Sequence, residues 1–138
     1  MKTVGDVNVI FALLVGWHAH HSPAWTWWQS LPDDSLALCW LTRLGVMRLL
    51  TNSKAMNGSP LSNQDALSAW DVFAQDPRTF WSEPGASHEL YFRSFVVRRQ
   101  PSSNLWSDAW LAAHAESQGW RLTSFDSDFR SFTLTDFE

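Results

Sequence analysis

Only one cysteine, Cys39, occurs in the 138 residues, so no disulfide can close within the chain and a reducing compartment is expected. Long apolar runs are missing as well: residues 7–15 are too few to span a bilayer and are interrupted by Asn8. The first residues carry neither a basic leader nor a small-residue cleavage pattern. A soluble, cytoplasmic protein without a membrane partner is the expectation. Positive charge is not in excess either, and the net charge of -4 speaks mildly against broad electrostatic binding of nucleic acid. Its distribution still leaves room for a local basic rim, because Arg43 and Arg48 share one segment and Arg93, Arg98 and Arg99 another. No Gly-rich phosphate loop, Ser–His–Asp spacing or Cys–His ligand pattern is found. Repeats, low-complexity tracts and linkers are missing too, so residues 1–138 are expected to form one domain.

What the chain does have is apolar surface. Hydrophobic residues make up 45% of it, enough for a folded core rather than a disordered chain. There are 10 tryptophans. Trp favours covered positions where the indole N–H finds a partner, so most are expected in the core, with some left to mark a partner surface. Trp25, Trp27 and Trp28 are the group for which a groove, the core and a dimer interface all remain open.

Apolar runs and cap signals order the elements. Residues 3–6 read as a short buried strand that leads straight into a helix ended near Gly16. Ser22 and Pro23 read as the N-cap and first turn of a second helix. Residues 36–40 read as a buried strand, and Thr42 as the cap of a helix bearing Leu44, Val46, Met47 and Leu50. Ser62 caps a fourth helix with Leu67, Trp70 and Phe73 on one face. Residues 79–81 and 120–125 read as strands, 88–99 and 104–118 as helices, and 132–137 alternates like a last strand. Apolar strands separated by helical crossovers predict an α/β fold, with a mainly parallel central sheet flanked by helices on both faces.

Open parallel sheets take ligands beyond the carboxyl ends of their strands. Asp6 ends the first strand, Asp126 follows the strand that begins at Trp120, and Asp108 lies in the first turn of its helix. Asp128 is two residues past Asp126. Carboxylates gathered in one crevice raise each other's pKa unless a cation intervenes. Mg²⁺ or Mn²⁺, which prefer oxygen ligands, would fill that role and activate water toward a phosphodiester. An aspartate in a helix's first turn also serves the helix dipole, and one in a turn also bonds the backbone. For Asp108, Asp126 and Asp128 the residues alone leave both readings open. Asp6 differs, because an acid inside an apolar strand-to-helix junction needs a reason to be there. His18, His20 and His21 look like a metal tract but equally like loop or capping residues, and His114 is six positions from Asp108 and faces away from it. Arg93, Arg98 and Arg99 are candidates for RNA phosphate contacts, with a solvated helix face as the alternative.

Residues 6–10 (DVNVI), 104–113 (NLWSDAWLAA) and 122–129 (LTSFDSDF) resemble the signature blocks of PIN-domain ribonucleases, in particular the VapC-type toxins of type II toxin–antitoxin pairs. Residues 41–52 and 60–62 are similar to one branch of those toxins, and the likeness runs from Asp6 to the end of the chain. The resemblance implies a PIN fold and a Mg²⁺- or Mn²⁺-dependent endoribonuclease. It also implies a homodimer, silenced by a cognate antitoxin, with an RNA substrate such as tRNA or rRNA. It carries catalytic and metal-holding roles to Asp6, Asp108 and Asp126, an accessory acid to Asp128, and supporting polar roles to Ser124 and Asn8. One position departs. The family's second acid, a helical Glu, falls here on Arg43 or Gly45, neither of which is a carboxylate. An arginine at that place would hold a substrate phosphate instead. The vacancy also admits a weakened PIN domain that binds RNA or a protein without efficient cleavage, and distant relatives of the fold admit a nuclease of DNA or flap structures.

Overall fold

The computed structural model describes residues 2–126 and Phe129. Four three-residue strands, β1 (Thr3–Gly5), β2 (Leu36–Leu38), β3 (Thr79–Trp81) and β4 (Arg121–Thr123), form one sheet in the order β3-β2-β1-β4. Every pairing is parallel, with Val4 opposite both Ala37 and Leu122, and Leu38 opposite Trp81. Helices α1 (Val7–Leu14), α2 (His21–Gln29), α3 (Trp40–Leu50), α4 (Asn63–Ala74), α5 (His88–Val96) and α6 (Leu105–Gln118) make the crossovers.

The pleat assigns the two faces. Successive side chains of β2 alternate, so Leu36 and Leu38 enter a core with Ile10, Leu13, Trp28, Val46, Leu50 and Trp70. Ala37, with Val4 and Leu122, packs on the other side against Leu111 and Ala112 of α6. Thus α1–α4 cover one face and α5–α6 the other, as the alternating pattern predicts. Each fully buried Leu or Ile contributes about 1.5–3 kcal/mol, so strands this short are held by their flanking helices rather than by their own pairing.

Several boundaries shift from the sequence expectation. Strand β1 stops at Gly5, because Asp6 turns the chain as the N-cap of α1. Helix α1 ends at Leu14, two residues before Gly16. Helix α2 starts at His21, not after Ser22: His20 is the N-cap position, tied through its backbone N–H to His18 Nδ1, while His21 Nδ1 meets the Ala12 carbonyl at 2.9 Å. Strand β2 ends at Leu38 and Trp40 already opens α3, with Cys39 at the N-cap. Thr42 is not a cap but a fully buried residue inside α3, whose hydroxyl donates to the Gly5 carbonyl at 3.3 Å. Helix α5 stops at Val96, short of Arg98 and Arg99. The strand predicted from Trp120 covers only 121–123. Ser62 does cap α4, accepting from the Asp65 N–H at 3.1 Å, and Gly119 closes α6 at φ 69. The strand predicted at 132–137 and Asp128 lie outside the described residues.

The tryptophans depart most from expectation. Trp28 and Trp70 are core residues, whereas Trp17, Trp25, Trp40, Trp81 and Trp106 are exposed.

His114, expected to face away from Asp108, is fully buried under α5. Its Nε2 bonds Ser82 Oγ at 2.8 Å, while Nδ1 has no hydrogen-bond partner among the described residues. Burial, then the neighbouring His88, hold its pKa down to about 4, and Glu83 pulls the other way. An imidazole depressed in this way contributes stability above its unfolded pKa near 6.5, and the contribution is lost as pH falls through the folded value. Unfolding titrations between pH 7 and 3.5 should therefore show stability falling across that window, with His114→Gln removing part of the slope.

Candidate active site

Parallel strands place all four carboxyl ends on one edge of the sheet. Strand β1 is internal, so the residue that follows it, Asp6, emerges between the ends of β2 and β4. A cleft of about 500 Å³ opens there. Asp6 and Val7 form its floor, Leu41, Leu44, Gly45 and Arg48 of α3 one wall, and Ser103, Asn104, Ser107, Asp108 and Leu111 at the start of α6 the other. The α3 set recurs at i, i+3, i+4 and i+7, a single helical face.

Both oxygens of Asp6 are held. Oδ1 accepts the Val7 N–H at 2.7 Å, and Oδ2 accepts the Ser124 hydroxyl at 2.7 Å. The Asp6 N–H continues the β1–β4 ladder to the Thr123 carbonyl at 2.9 Å, which anchors the turn. Ser124 is shared: its Oγ also receives the Asp126 N–H at 2.9 Å and lies 3.4 Å from Asn8 Nδ2. Asn8 Oδ1 in turn accepts the Phe125 N–H at 3.3 Å. Ser124 and Asn8 thus form a polar lattice that binds the β4 turn to the start of α1.

Burial pushes the Asp6 pKa up, and the charge of Asp126 adds to the rise. The bonds from Ser124 and Val7 oppose it without cancelling it. A cation beside such a carboxyl would favour its ionised form and offset the rise.

The three candidate carboxylates are therefore brought to one region, in two ways. Asp6 and Asp108 line the same cleft, whereas Asp126 stands beside Asp6 across Ser124 and acts on it through charge. Among the described residues, no three His, Cys, Asp or Glu side chains stand close enough together to form a ready-made cage for an ion. The histidine tract is engaged otherwise: His18 meets Phe11 edge-on and His20 lies against Phe125 at 4.9 Å.

The arginines redistribute. Arg43 lies over the Trp40 ring, 5.0 Å from its centroid, outside the cleft lining. Arg93 pairs with Glu89 at 2.9 Å, the Arg99 Nε bonds the Phe95 carbonyl, and Arg98 is exposed, so none of these three lines the cleft. The cation on the cleft wall is Arg48, which shares its basic segment with Arg43. Its spacing from Leu41 and Leu44 was the available signal. Gly45 is explained by packing: a Cβ there would meet Val7 Cγ2 at 2.6 Å, so α3 approaches α1 too closely for a side chain.

A family model described as PIN domain matches residues 4–133. The chain is 32% identical over 133 residues to Ribonuclease VapC41 of Mycobacterium tuberculosis, spanning 92% of this chain and 90% of that protein. It is 29% identical over 129 residues to Ribonuclease VapC25 of the same organism, with the same shares covered. Among solved structures, VapC20 of Mycobacterium tuberculosis, described as a Sarcin-Ricin loop cleaving toxin, superposes with a TM-score of 0.71 at 20% identity, over 98% of each chain. VapBC-1 from nontypeable Haemophilus influenzae superposes with a TM-score of 0.68 at 20% identity, over 100% of this chain and 97% of that one. The four-stranded parallel sheet and its flanking helices are thus a PIN fold.

Proposed function

This chain belongs to the PIN-domain family, and from that premise we propose that it is an endoribonuclease toxin of a toxin–antitoxin pair, cutting RNA with a Mg²⁺ or Mn²⁺ ion held by Asp6, Asp108 and Asp126. Relatives named as ribonucleases over nine-tenths of the chain support the activity. The observation that carries the site is that Asp6 and Asp108 line one cleft, with Asp6 desolvated and oriented at both oxygens.

The donor set suits a hard cation. It is all oxygen, and burial together with the nearby Asp126 charge raises the Asp6 pKa, an effect that a cation would offset. Mg²⁺ retains several waters and takes only one or two protein carboxylates, so a closed three-residue cage is not required. Such an ion, when bound, supplies an acidified water and positive charge for the phosphodiester oxygens. The protein's own part is orientation. Ser124 and the Val7 N–H fix the Asp6 carboxylate, Asp108 presents a second acid from the first turn of α6, and Arg48 offers a cation to the incoming phosphate from the opposite wall. Removing the hydroxyl with Ser124→Ala should lower cleavage by about 10–100-fold while the protein stays folded, the usual cost of an outer partner. Rates at saturating cation, beside a thermal melt, check this.

The decisive assay uses purified protein free of any partner, tRNA and rRNA fragments, and DNA of matched length. RNA should be cut with Mg²⁺ or Mn²⁺ and spared in EDTA, with DNA spared throughout. If both metals leave the RNAs intact, the nuclease reading fails. We extend the proposal to a cytoplasmic homodimer silenced by a cognate antitoxin, which light scattering and co-expression with any short reading frame found beside the gene would test.

One observation favours a second reading, a PIN domain that binds without efficient cleavage. The cleft face of α3 carries Leu41, Leu44, Gly45 and Arg48, and no acid.

A further inference from the structure

Two exposed tryptophans stand on the sheet edge that carries the acids. Trp40 opens α3 and is 51% exposed, and Trp81 closes β3 and is 41% exposed. Their rings meet edge to face, with centroids 5.3 Å apart and an interplanar angle of 83°. Both are held in place. The Trp81 indole N–H donates to Glu83 at 2.7 Å, and the Arg43 guanidinium lies over the Trp40 ring. Large rings left half open to water, yet fixed by a carboxylate and a guanidinium, are not packing leftovers. Nothing in the core uses them.

Their position relative to the cleft is set by the fold. Leu41, the residue after Trp40, lines the cleft that holds Asp6 and Asp108, and Leu44, the residue after Arg43, does so too. Strand β3 lies two strands from β1, roughly 10 Å at ordinary strand spacing. A chain whose phosphate sits at Asp6 therefore reaches Trp40 and Trp81 within a nucleotide or two.

We infer that Trp40 and Trp81, with Arg43, form a stacking platform for an unpaired nucleobase of the RNA substrate, next to the phosphate that enters the Asp6–Asp108 cleft. This rests on the ribonuclease reading and narrows it to single-stranded or looped RNA. Aromatic faces accept any base by stacking, and an arginine on the same ring adds cation–π attraction and charge for the adjoining phosphate. A duplex keeps its bases stacked inside and cannot offer one to such a surface. The continuity of the platform with the cleft wall favours RNA over a protein occupant, although Trp and Arg also anchor protein interfaces.

The test is made on the full chain in the Asp6→Asn background, where the substituted Asn still caps α1 and cleavage is disabled. Anisotropy of a labelled single-stranded oligoribonucleotide gives the affinity. Trp40→Ala or Trp81→Ala should weaken binding by about 5- to 150-fold, the range for losing one stacked base, and Trp40→Phe should restore most of it. An oligoribonucleotide with one abasic position should bind as weakly to the parent as the intact one does to Trp40→Ala. A duplex of the same sequence should be insensitive to both substitutions. Equal affinity of parent, Trp40→Ala and Trp81→Ala, with all three melting alike, overturns the platform even if the protein with Asp6 intact cuts RNA. Trp40-dependent binding without any cutting by that protein leaves the platform standing and removes the nuclease. Unchanged RNA affinity with lost capture of the antitoxin assigns the surface to a protein and likewise overturns the proposal.

Discussion

Replacing Asp6 by Asn is expected to reduce RNA cleavage by at least about 100-fold, since outer-shell partners of a metal site alone are worth 10–100-fold. Asp108→Asn should fall to a similar level. Both acids line one cleft and would serve one ion, so the double substitution should cost little more than either alone. Stability should move the other way. Burial raises the Asp6 pKa, with the Asp126 charge adding to it. A group whose folded pKa is raised stabilises the fold fully below its unfolded pKa, near 3.8, and that contribution is lost as pH rises through the folded value. At neutral pH without divalent cation the protein therefore folds against an unfavourable buried charge. Asn keeps the cap and removes the charge, so Asp6→Asn should melt higher than the parent at pH 7 in EDTA, with the gap closing on acidification. Addition of Mg²⁺ should raise the parent's melting temperature and leave that of Asp6→Asn unmoved. Loss of activity together with a gain in stability separates a functional acid from a structural one.

The second large effect concerns the acid that α3 lacks. The resemblance places the family's helical Glu at Arg43 or Gly45, and neither site suits one. At Gly45 any Cβ meets the stiff, branched Val7 side chain at 2.6 Å. Gly45→Glu should therefore lower stability by about 1–3 kcal/mol through overpacking, a fall of roughly 4–12 °C in melting temperature for a chain of this size, and bring no gain in activity. At Arg43 the side chain lies on Trp40, away from the cleft. Leu44 is different: it lines the cleft and is exposed. Leu44→Glu should fold normally and lower the Mg²⁺ concentration for half-maximal cleavage by about tenfold. Cleavage titrated against Mg²⁺ in Gly45→Glu, Arg43→Glu and Leu44→Glu distinguishes these outcomes. A gain at Gly45 or Arg43 with none at Leu44 would contradict the assignment of the α3 face.

The fold was legible because its signals are local and redundant. Short apolar strands alternate with helices, Ser62 does cap α4, and Gly119 does close α6. The errors share a cause, which is tertiary contact overriding a local preference. Thr42 has the composition of a cap, yet its hydroxyl is drawn inward to the Gly5 carbonyl, and α3 already begins at Trp40, two residues before it. Asp6 was legible from chemistry, as an acid at an apolar junction, whereas Asp108 and Asp126 needed the family blocks. Asp126 is beside Asp6 rather than in the cleft lining, a distinction that spacing along the chain does not encode. That Arg48 rather than Arg43 lines the cleft is a matter of helix phase, since residue type alone does not say which face of α3 turns toward Asp6. The tryptophans misled because composition speaks for burial, while Trp40 and Trp81 sit where strands end and the sheet edge opens to solvent.

The most direct measurement is a Mn²⁺ titration followed by electron paramagnetic resonance, on the parent protein, Asp6→Asn and Asp108→Asn without RNA. Bound Mn²⁺ is expected in the parent, competed by Mg²⁺, and lost in both variants. Equal Mn²⁺ binding by all three proteins would contradict a cation site shared by Asp6 and Asp108.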